Sequence, residues 1–271
     1  VPELPEVETV RRGVEPHVVG RRVENVIVRD ARLRWPVPHN FPDFVHGRTI
    51  RGVSRRGKYL IFDLGGDRFI VHLGMSGRLC LLERAEPPRK HDHVDLQLAG
   101  GKLLRFHDPR RFGAILPWPS ADAEHVLLAK LGPEPFSVEF SGAYLFARSR
   151  GRAAPVKTFI MDGGIVVGAG NIYAAEALYR AGLRPNRAAG HVTRAQYDAL
   201  ATAIREVLAI AIERGGTTLR DFAGAQGEAG YFQQELMVYG REGEACRCCG
   251  TAIRRAVIGQ RSSCYCPSCQ R

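Results

Sequence analysis

Two groups of residues have types and spacing suited to chemistry, one at each end of the chain. At the start, Val-Pro-Glu-Leu-Pro-Glu-Val-Glu puts a proline second, with carboxylates at Glu3 and Glu6. Once residue 1 is removed, Pro2 carries a free secondary amine, a backbone nitrogen able to act as a nucleophile. It can attack an electrophilic carbon, displace a leaving group and become an iminium ion, while the adjacent carboxyl donates or carries protons. The same residues also suit a plain helix start, because Pro5 fits a first turn and Glu6 and Glu8 complement the helix dipole. Toward the other end, Cys246-x-x-Cys249 and Cys266-x-x-Cys269 lie sixteen residues apart. That is the spacing of a four-thiolate zinc site on two knuckles. Four cysteines leave no open coordination position, so the zinc is expected to be one structural ion. It would brace a basic hairpin carrying Arg254, Arg255 and Arg261 that is too small to fold alone.

These groups sit in an ordinary globular composition, 45% hydrophobic and 25% charged over 271 residues, with room for two or three domains. A net charge of +11 points to a polyanionic partner, nucleic acid before membrane. No apolar run is long enough to span a bilayer, and the acidic N-terminus is unlike a signal peptide, so a cytoplasmic protein is expected. Seven cysteines, an odd number, argue against a disulfide framework. Cys248 and Cys264 fall outside the zinc pattern, and Cys80 reads as a buried strand residue. Only five of the 39 basic residues are lysines, which makes each a candidate for amine chemistry or for a compact point charge.

The elements that must position these groups follow from periodicity. Val7, Val10 and Val14 predict a leading helix limited by Pro16. Alternating or apolar runs at 22–29, 49–54, 59–63, 68–73, 78–82, 93–98, 102–107 and 113–117, separated by tight turns, predict a β-sandwich of seven or eight strands. Gly132-Pro133-Glu134-Pro135 marks a boundary, and helices dominate beyond it. A Gly168-Ala169-Gly170-Asn171 stretch opens a helix over 172–181, where backbone amides and Asn171 can approach a phosphate. Thr193 and Gln196 form a capping box for a long helix whose buried stripe is Leu200, Ile204, Val207, Leu208 and Ala211.

Three sandwich loops carry unusual side chains. Arg55-Arg56-Gly57-Lys58 places Lys58 at the mouth of an apolar strand. Leu73-Gly74-Met75-Ser76-Gly77 puts a methionine on a glycine-bounded turn, and His107-Asp108-Pro109-Arg110-Arg111-Phe112-Gly113 offers guanidiniums beside a ring. Arginine next to an exposed apolar wedge suits a protein that opens a DNA stack. Each loop alone is equally well explained by a side chain folded back into the core.

Together, Pro-Glu-Leu-Pro-Glu-Val-Glu, Arg-Arg-Gly-Lys-Tyr-Leu, His-Leu-Gly-Met-Ser-Gly, Lys-His-Asp-His-Val-Asp, Asp-Pro-Arg-Arg-Phe-Gly, Gly-Asn-Ile-Tyr-Ala and the closing cysteines resemble the bacterial formamidopyrimidine-DNA glycosylase family from end to end. The resemblance implies an α+β multidomain fold. It has an N-terminal β-sandwich with a leading helix (1–132), a helix–two-turns–helix domain with a lesion-capping loop (133–236) and a four-cysteine zinc β-hairpin (237–271). It implies a monomeric, bifunctional DNA glycosylase and abasic-site lyase of base excision repair, acting on double-stranded DNA with oxidised purines such as 8-oxoguanine and formamidopyrimidines.

The resemblance also assigns roles. Pro2 would attack C1′ of the flipped nucleotide and Glu3 would act as general acid/base. Lys58 would donate a proton and touch phosphate, and Arg261 would hold the lesion's flanking phosphates and serve the δ-elimination. His91, Arg110, Arg152, Lys157 and Asn171 match DNA contacts. Met75, Arg110 and Phe112 match the trio that fills the vacated stack, and 226–231 match the loop over the extruded base. Val1 stands where the family has its initiator methionine. Attached, it would turn the Pro2 nitrogen into an inert amide, so Val1 is expected to be a literally translated GTG start that is removed in the cell.

Two rivals differ in testable ways. An endonuclease VIII-like glycosylase would prefer oxidised pyrimidines, and a non-catalytic zinc-finger DNA-binding protein would form no covalent adduct. For the phosphate role, Arg261→Ala is expected to weaken DNA binding and reduce the slope of log affinity against log salt by about one. An unchanged slope in a salt titration would count against that role.

Overall fold

The computed structural model describes residues 2–122, 124–215 and 236–271. Val1 and the expected capping loop at 226–231 lie outside the described residues. The chain divides into two compact units, one running to Ala129 and the other spanning Lys130–Glu213 and resuming over 236–271.

In the first unit, α1 (Leu4–Val18) buries Leu4, Val7, Val10, Val14 and Val18 along one stripe and packs on the strands Gly52–Arg56 and Tyr59–Asp63. It continues past Pro16, which the sequence had placed as its limit. The ring removes a donor only in the last turn, where Pro16 and Arg12, four residues before it, are both exposed, so the missing bond costs little.

Eight strands follow: β1 (Val23–Val28), then, after the short helix α2 (Phe41–Val45), β2 (Gly52–Arg56), β3 (Tyr59–Asp63), β4 (Arg68–His72), β5 (Arg78–Leu82), β6 (Asp92–Leu98), β7 (Leu103–His107) and β8 (Ala114–Trp118). They form two antiparallel sheets of order β1-β6-β7-β5 and β2-β3-β4-β8. Alternation along the strands turns Val94, Leu96, Leu104 and Phe106 of one sheet and Leu60, Phe62, Phe69 and Val71 of the other into one shared core, so the unit is a β-sandwich. Phe62 stacks on Phe69 with ring centroids 4.5 Å apart, and Phe41 of α2, an element the sequence reading omitted, meets Phe69 edge-on.

The second unit contains α3 (Gly142–Ser149), α4 (Val156–Met161), α5 (Asn171–Arg180) and α6 (Arg194–Glu213). The capping box of α6 is present: Thr193 N–H donates to Gln196 Oε1 at 3.0 Å and Gln196 N–H to Thr193 Oγ1 at 3.3 Å. All five residues of its predicted stripe are buried. A terminal hairpin, β9 (Arg254–Ile258) and β10 (Arg261–Tyr265), packs on α5. Among the described residues no helix is long and apolar enough to cross a membrane.

Charge is buried on the outer face of the β1-β6-β7-β5 sheet. Arg105 makes a bidentate bridge to Asp95 at 2.8 Å, and Arg29 reaches the same carboxylate at 2.6 Å. Cys80, expected to be buried, lies on this outer face and is half-buried. Burial alone would raise the Asp95 pKa, but the two guanidiniums outweigh it and hold the carboxyl below its usual range. Asp95→Asn is therefore expected to destabilise the protein by about 3 kcal/mol near neutral pH. Because the folded-state pKa is depressed, this advantage exists above the unfolded value of about 3.9 and is lost as pH falls through the folded value. Thermal unfolding of both proteins from pH 7 to pH 3 checks this.

Candidate functional site

At the N-terminus, the first turn of α1 is buried rather than frayed. Glu3 is 2% exposed, Glu6 is fully buried, and the Glu3 amide donates to Glu6 Oε2 at 2.7 Å in a capping-box arrangement. Leu4 and Val7 beneath them anchor the turn in the core, which leaves Pro2 partly exposed at its head. One turn on, Glu8 receives Arg11, Arg12 and Arg55 at 3.0, 2.8 and 3.3 Å. Burial opposes ionisation of Glu8, but these cations prevail and lower its pKa. Arg55 also donates to the Gly57 carbonyl at 2.8 Å, so one side chain ties α1 to the turn that presents Lys58.

His72, at the end of β4 and not singled out by the sequence, supports the Met75 turn. Its ring lies 4.7 Å from Tyr59, and its Nδ1 accepts from the Gly74 amide at 3.1 Å. Burial, then the charges of Lys58 and Arg34, push its pKa down to about 4, so it stays neutral near pH 7 and keeps that acceptor. Gly74 has φ +64°, and a Cβ there would fall 2.4 Å from the Phe112 carbonyl carbon. The Met75 turn and the Arg110–Phe112 tip therefore touch backbone to backbone. Met75 is partly exposed, Phe112 is 40% exposed, and the Arg110 guanidinium lies 5.0 Å from the Phe112 ring centre. The structure thus brings these three together at the surface of the first unit. His91, on the adjoining turn, has φ +78° and is only partly covered. Lost hydration and the neighbouring Lys90 lower its pKa.

The remaining site residues lie in the second unit. Arg152 is exposed and donates to the Arg148 carbonyl at 3.0 Å. Lys157 is 1% exposed: its Nζ donates to Asn171 Oδ1 and Ser263 Oγ, both at 2.6 Å, and to the Ser262 carbonyl at 3.3 Å. The ammonium expected at DNA is thus turned into the protein, while Asn171, at the start of α5, remains partly exposed and bonds the Ser262 carbonyl at 3.1 Å. Arg261 is exposed at the tip of the hairpin, beside a two-residue turn with positive φ at Gly259 and Gln260.

The sulfurs of Cys246, Cys249, Cys266 and Cys269 lie within 4.8 Å of one another, with Cys246–Cys269 at 3.9 Å and Cys249–Cys266 at 3.5 Å. A tetrahedral site with zinc–sulfur bonds of about 2.3 Å has edges of about 3.8 Å, so the donor set fits one structural zinc. The Tyr179 hydroxyl lies 3.2 Å from the Cys246 sulfur, a partner placed to orient that ligand.

A β-sandwich presenting arginine and apolar side chains, and a helical unit carrying a four-thiolate hairpin, define a zinc-bearing nucleic-acid-binding class. The family model "Formamidopyrimidine-DNA glycosylase N-terminal domain" matches residues 1–115, "Formamidopyrimidine-DNA glycosylase H2TH domain" matches 131–223, and "Zinc finger found in FPG and IleRS" matches 243–271. The chain belongs to the formamidopyrimidine-DNA glycosylase family. It is 58% identical to the formamidopyrimidine-DNA glycosylase of Syntrophotalea carbinolica over 271 residues, covering all of both chains. Among solved structures it is similar to the MutM (Fpg) protein from Thermus thermophilus, with a TM-score of 0.88 and 43% identity over 99% of this chain and 98% of that one. It is also similar to a Lactococcus lactis Fpg mutant in complex with a Fapy-dG containing DNA, with a TM-score of 0.92 and 35% identity over the whole of both chains.

Stripping zinc with a strong chelator is expected to raise amide exchange in Arg254–Ile258 and Arg261–Tyr265 toward that of an unfolded peptide, while the eight sandwich strands keep their protection. Full protection of the hairpin in metal-free protein would refute a structural zinc.

Proposed function

We propose that this protein is a bifunctional DNA glycosylase and abasic-site lyase of base excision repair that removes oxidised purines, 8-oxoguanine and formamidopyrimidines, from double-stranded DNA. The supporting observation is a Pro2-Glu3 start held in a buried turn, on a chain that aligns end to end with formamidopyrimidine-DNA glycosylases. It works as a monomer in the cytoplasm and at the nucleoid. Residues 1–132 carry the chemistry, 133–236 hold DNA and cap the lesion, and 237–271 grip the backbone.

Extruding the lesion costs a few kcal/mol of stacking and pairing. Met75 and Phe112 entering the vacated space, Arg110 facing the orphaned base, and phosphate contacts from His91, Arg152, Asn171 and Arg261 offset that cost, with Lys157 holding Asn171 and the hairpin in place. The Pro2 nitrogen then attacks C1′. The N–C1′ bond forms as the glycosidic bond breaks, and the base leaves with the bonding pair and takes up a proton. Glu3 protonates the ring oxygen as the sugar opens to the iminium. Loss of a C2′ proton expels the 3′ phosphate, and a second elimination, served by Arg261, expels the 5′ phosphate. Lys58 supplies a proton and a compact positive charge beside the phosphate.

This chemistry requires Pro2 to be the first residue of the mature protein. Intact mass after borohydride treatment on an 8-oxoguanine duplex is expected to show protein lacking residue 1 plus a covalent DNA fragment, with less adduct on a thymine glycol duplex. Glu3→Gln should slow single-turnover excision by about 100-fold or more. Fully active protein that retains Val1, or an absence of trapping, would overturn the mechanism.

A further inference from the structure

Asp108 is completely buried, and the polar atoms of both its backbone and its side chain are engaged. Its carboxylate accepts from the Ser76 hydroxyl at 2.7 Å through Oδ1 and from the Gly113 amide at 2.8 Å through Oδ2. Its amide donates to the His91 carbonyl at 3.0 Å, and its own carbonyl meets His93 Nε2 at 2.8 Å. Ser76 Oγ in turn accepts from the Arg110 amide at 3.1 Å. Three separate surface turns therefore converge on one residue: the turn bearing Met75, the turn bearing His91, and the tip bearing Arg110 and Phe112. Gly113 has no room for a side chain at the junction, since a Cβ would stand 2.7 Å from the His72 carbonyl and 3.0 Å from Asp108 Oδ2.

We propose that Asp108 is a positioning residue that locks the Met75 turn and the Arg110–Phe112 tip, braced on the His91 turn, into one rigid wedge, so that Met75 and Phe112 enter the base stack as a single body. The inference rests on the function proposed above. Its physical basis is cooperativity of insertion. Two apolar side chains on independent loops would each lose conformational freedom on entering DNA, whereas a pre-assembled wedge has lost that freedom during folding. A buried carboxylate taking one bond per oxygen, from Ser76 of one loop and Gly113 of the other, is well suited to this, because charge-assisted bonds are short and the Asp108 side chain itself is shielded from water. Ser76 is the specific relay, since its hydroxyl donates to Asp108 and accepts from the Arg110 amide.

The role predicts a split between steps. Excision of a base still in the stack needs the wedge, while cleavage at a pre-formed abasic site has no base to extrude. In single-turnover assays Asp108→Ala is expected to slow 8-oxoguanine excision by about 10- to 100-fold and abasic-site cleavage by less than about 3-fold, in line with the cost of small misplacements distant from the chemistry. The fluorescence rise of a 2-aminopurine next to the lesion should slow by the same factor as excision. Asp108→Asn should restore most of the rate, because its amide can accept from Gly113 while donating to Ser76. Ser76→Ala, which cuts only one arm and carries the test if Asp108→Ala fails to fold, should show the same split at smaller size. A parallel fall in both activities, an unchanged excision rate in Ser76→Ala, or no rescue by asparagine would overturn the inference. Wild-type protein inactive on 8-oxoguanine would instead overturn the function on which it rests.

Discussion

The turn that opens α1 must be kept from fraying while two carboxyls are buried in it, and the rest of the first unit depends on how that is done. Terminal residues are ordinarily poorly ordered. Here the chain enters a helix within three residues of Pro2, Leu4 and Val7 sink into the sandwich core, and Glu3 and Glu6 are buried with the Glu3 amide closed onto the Glu6 carboxylate. Burying two carboxyls is costly unless they are hydrogen-bonded. The capping arrangement meets that requirement and at the same time sets the direction in which Pro2 leaves the helix. Glu8 and Arg55 carry the same order to the Lys58 turn, so the start of α1 and that turn belong to one framework.

The sandwich serves as a platform of fixed loops. Its inner faces supply apolar rigidity, and its polar outer face holds Asp95 against two guanidiniums. Where strands end, polar contacts between loops take over: His72 stays neutral and holds Gly74, and Asp108 joins turns that are distant in sequence. Exposed apolar side chains such as Phe112 are tolerable because the backbone below them is closely packed.

In the second unit, the hairpin is bound to its surroundings twice. The four thiolates provide a metal-dependent core with Val238 and Ile253, and Lys157 joins Asn171 at the start of α5 to Ser262 and Ser263 on β10. A buried ammonium with three good acceptors is stable where a lone one would deprotonate or unfold its site. Arg261 is consequently presented from a stiff tip although few apolar residues lie beneath it.

Much of this was legible in the chain itself. Alternating or apolar runs between turns marked all eight sandwich strands, the Thr193 and Gln196 pair marked the start of α6, and cysteine spacing marked the zinc site, because backbone geometry and ligand geometry repeat at short, fixed intervals. The Pro2-Glu3 dipeptide was readable for the same reason, its residues being adjacent. What the sequence could not supply were contacts made across long separations. Asp108 reaching Ser76 and Lys157 reaching Ser263 depend on which loops the sheets and helices bring together. Local pattern also misjudged Pro16, whose lost bond falls on an exposed turn, and Cys80, whose side of the sheet follows from register. Local spacing, then, determined which residues can do chemistry; tertiary packing alone decided which are exposed to act and which are buried to hold the others in place.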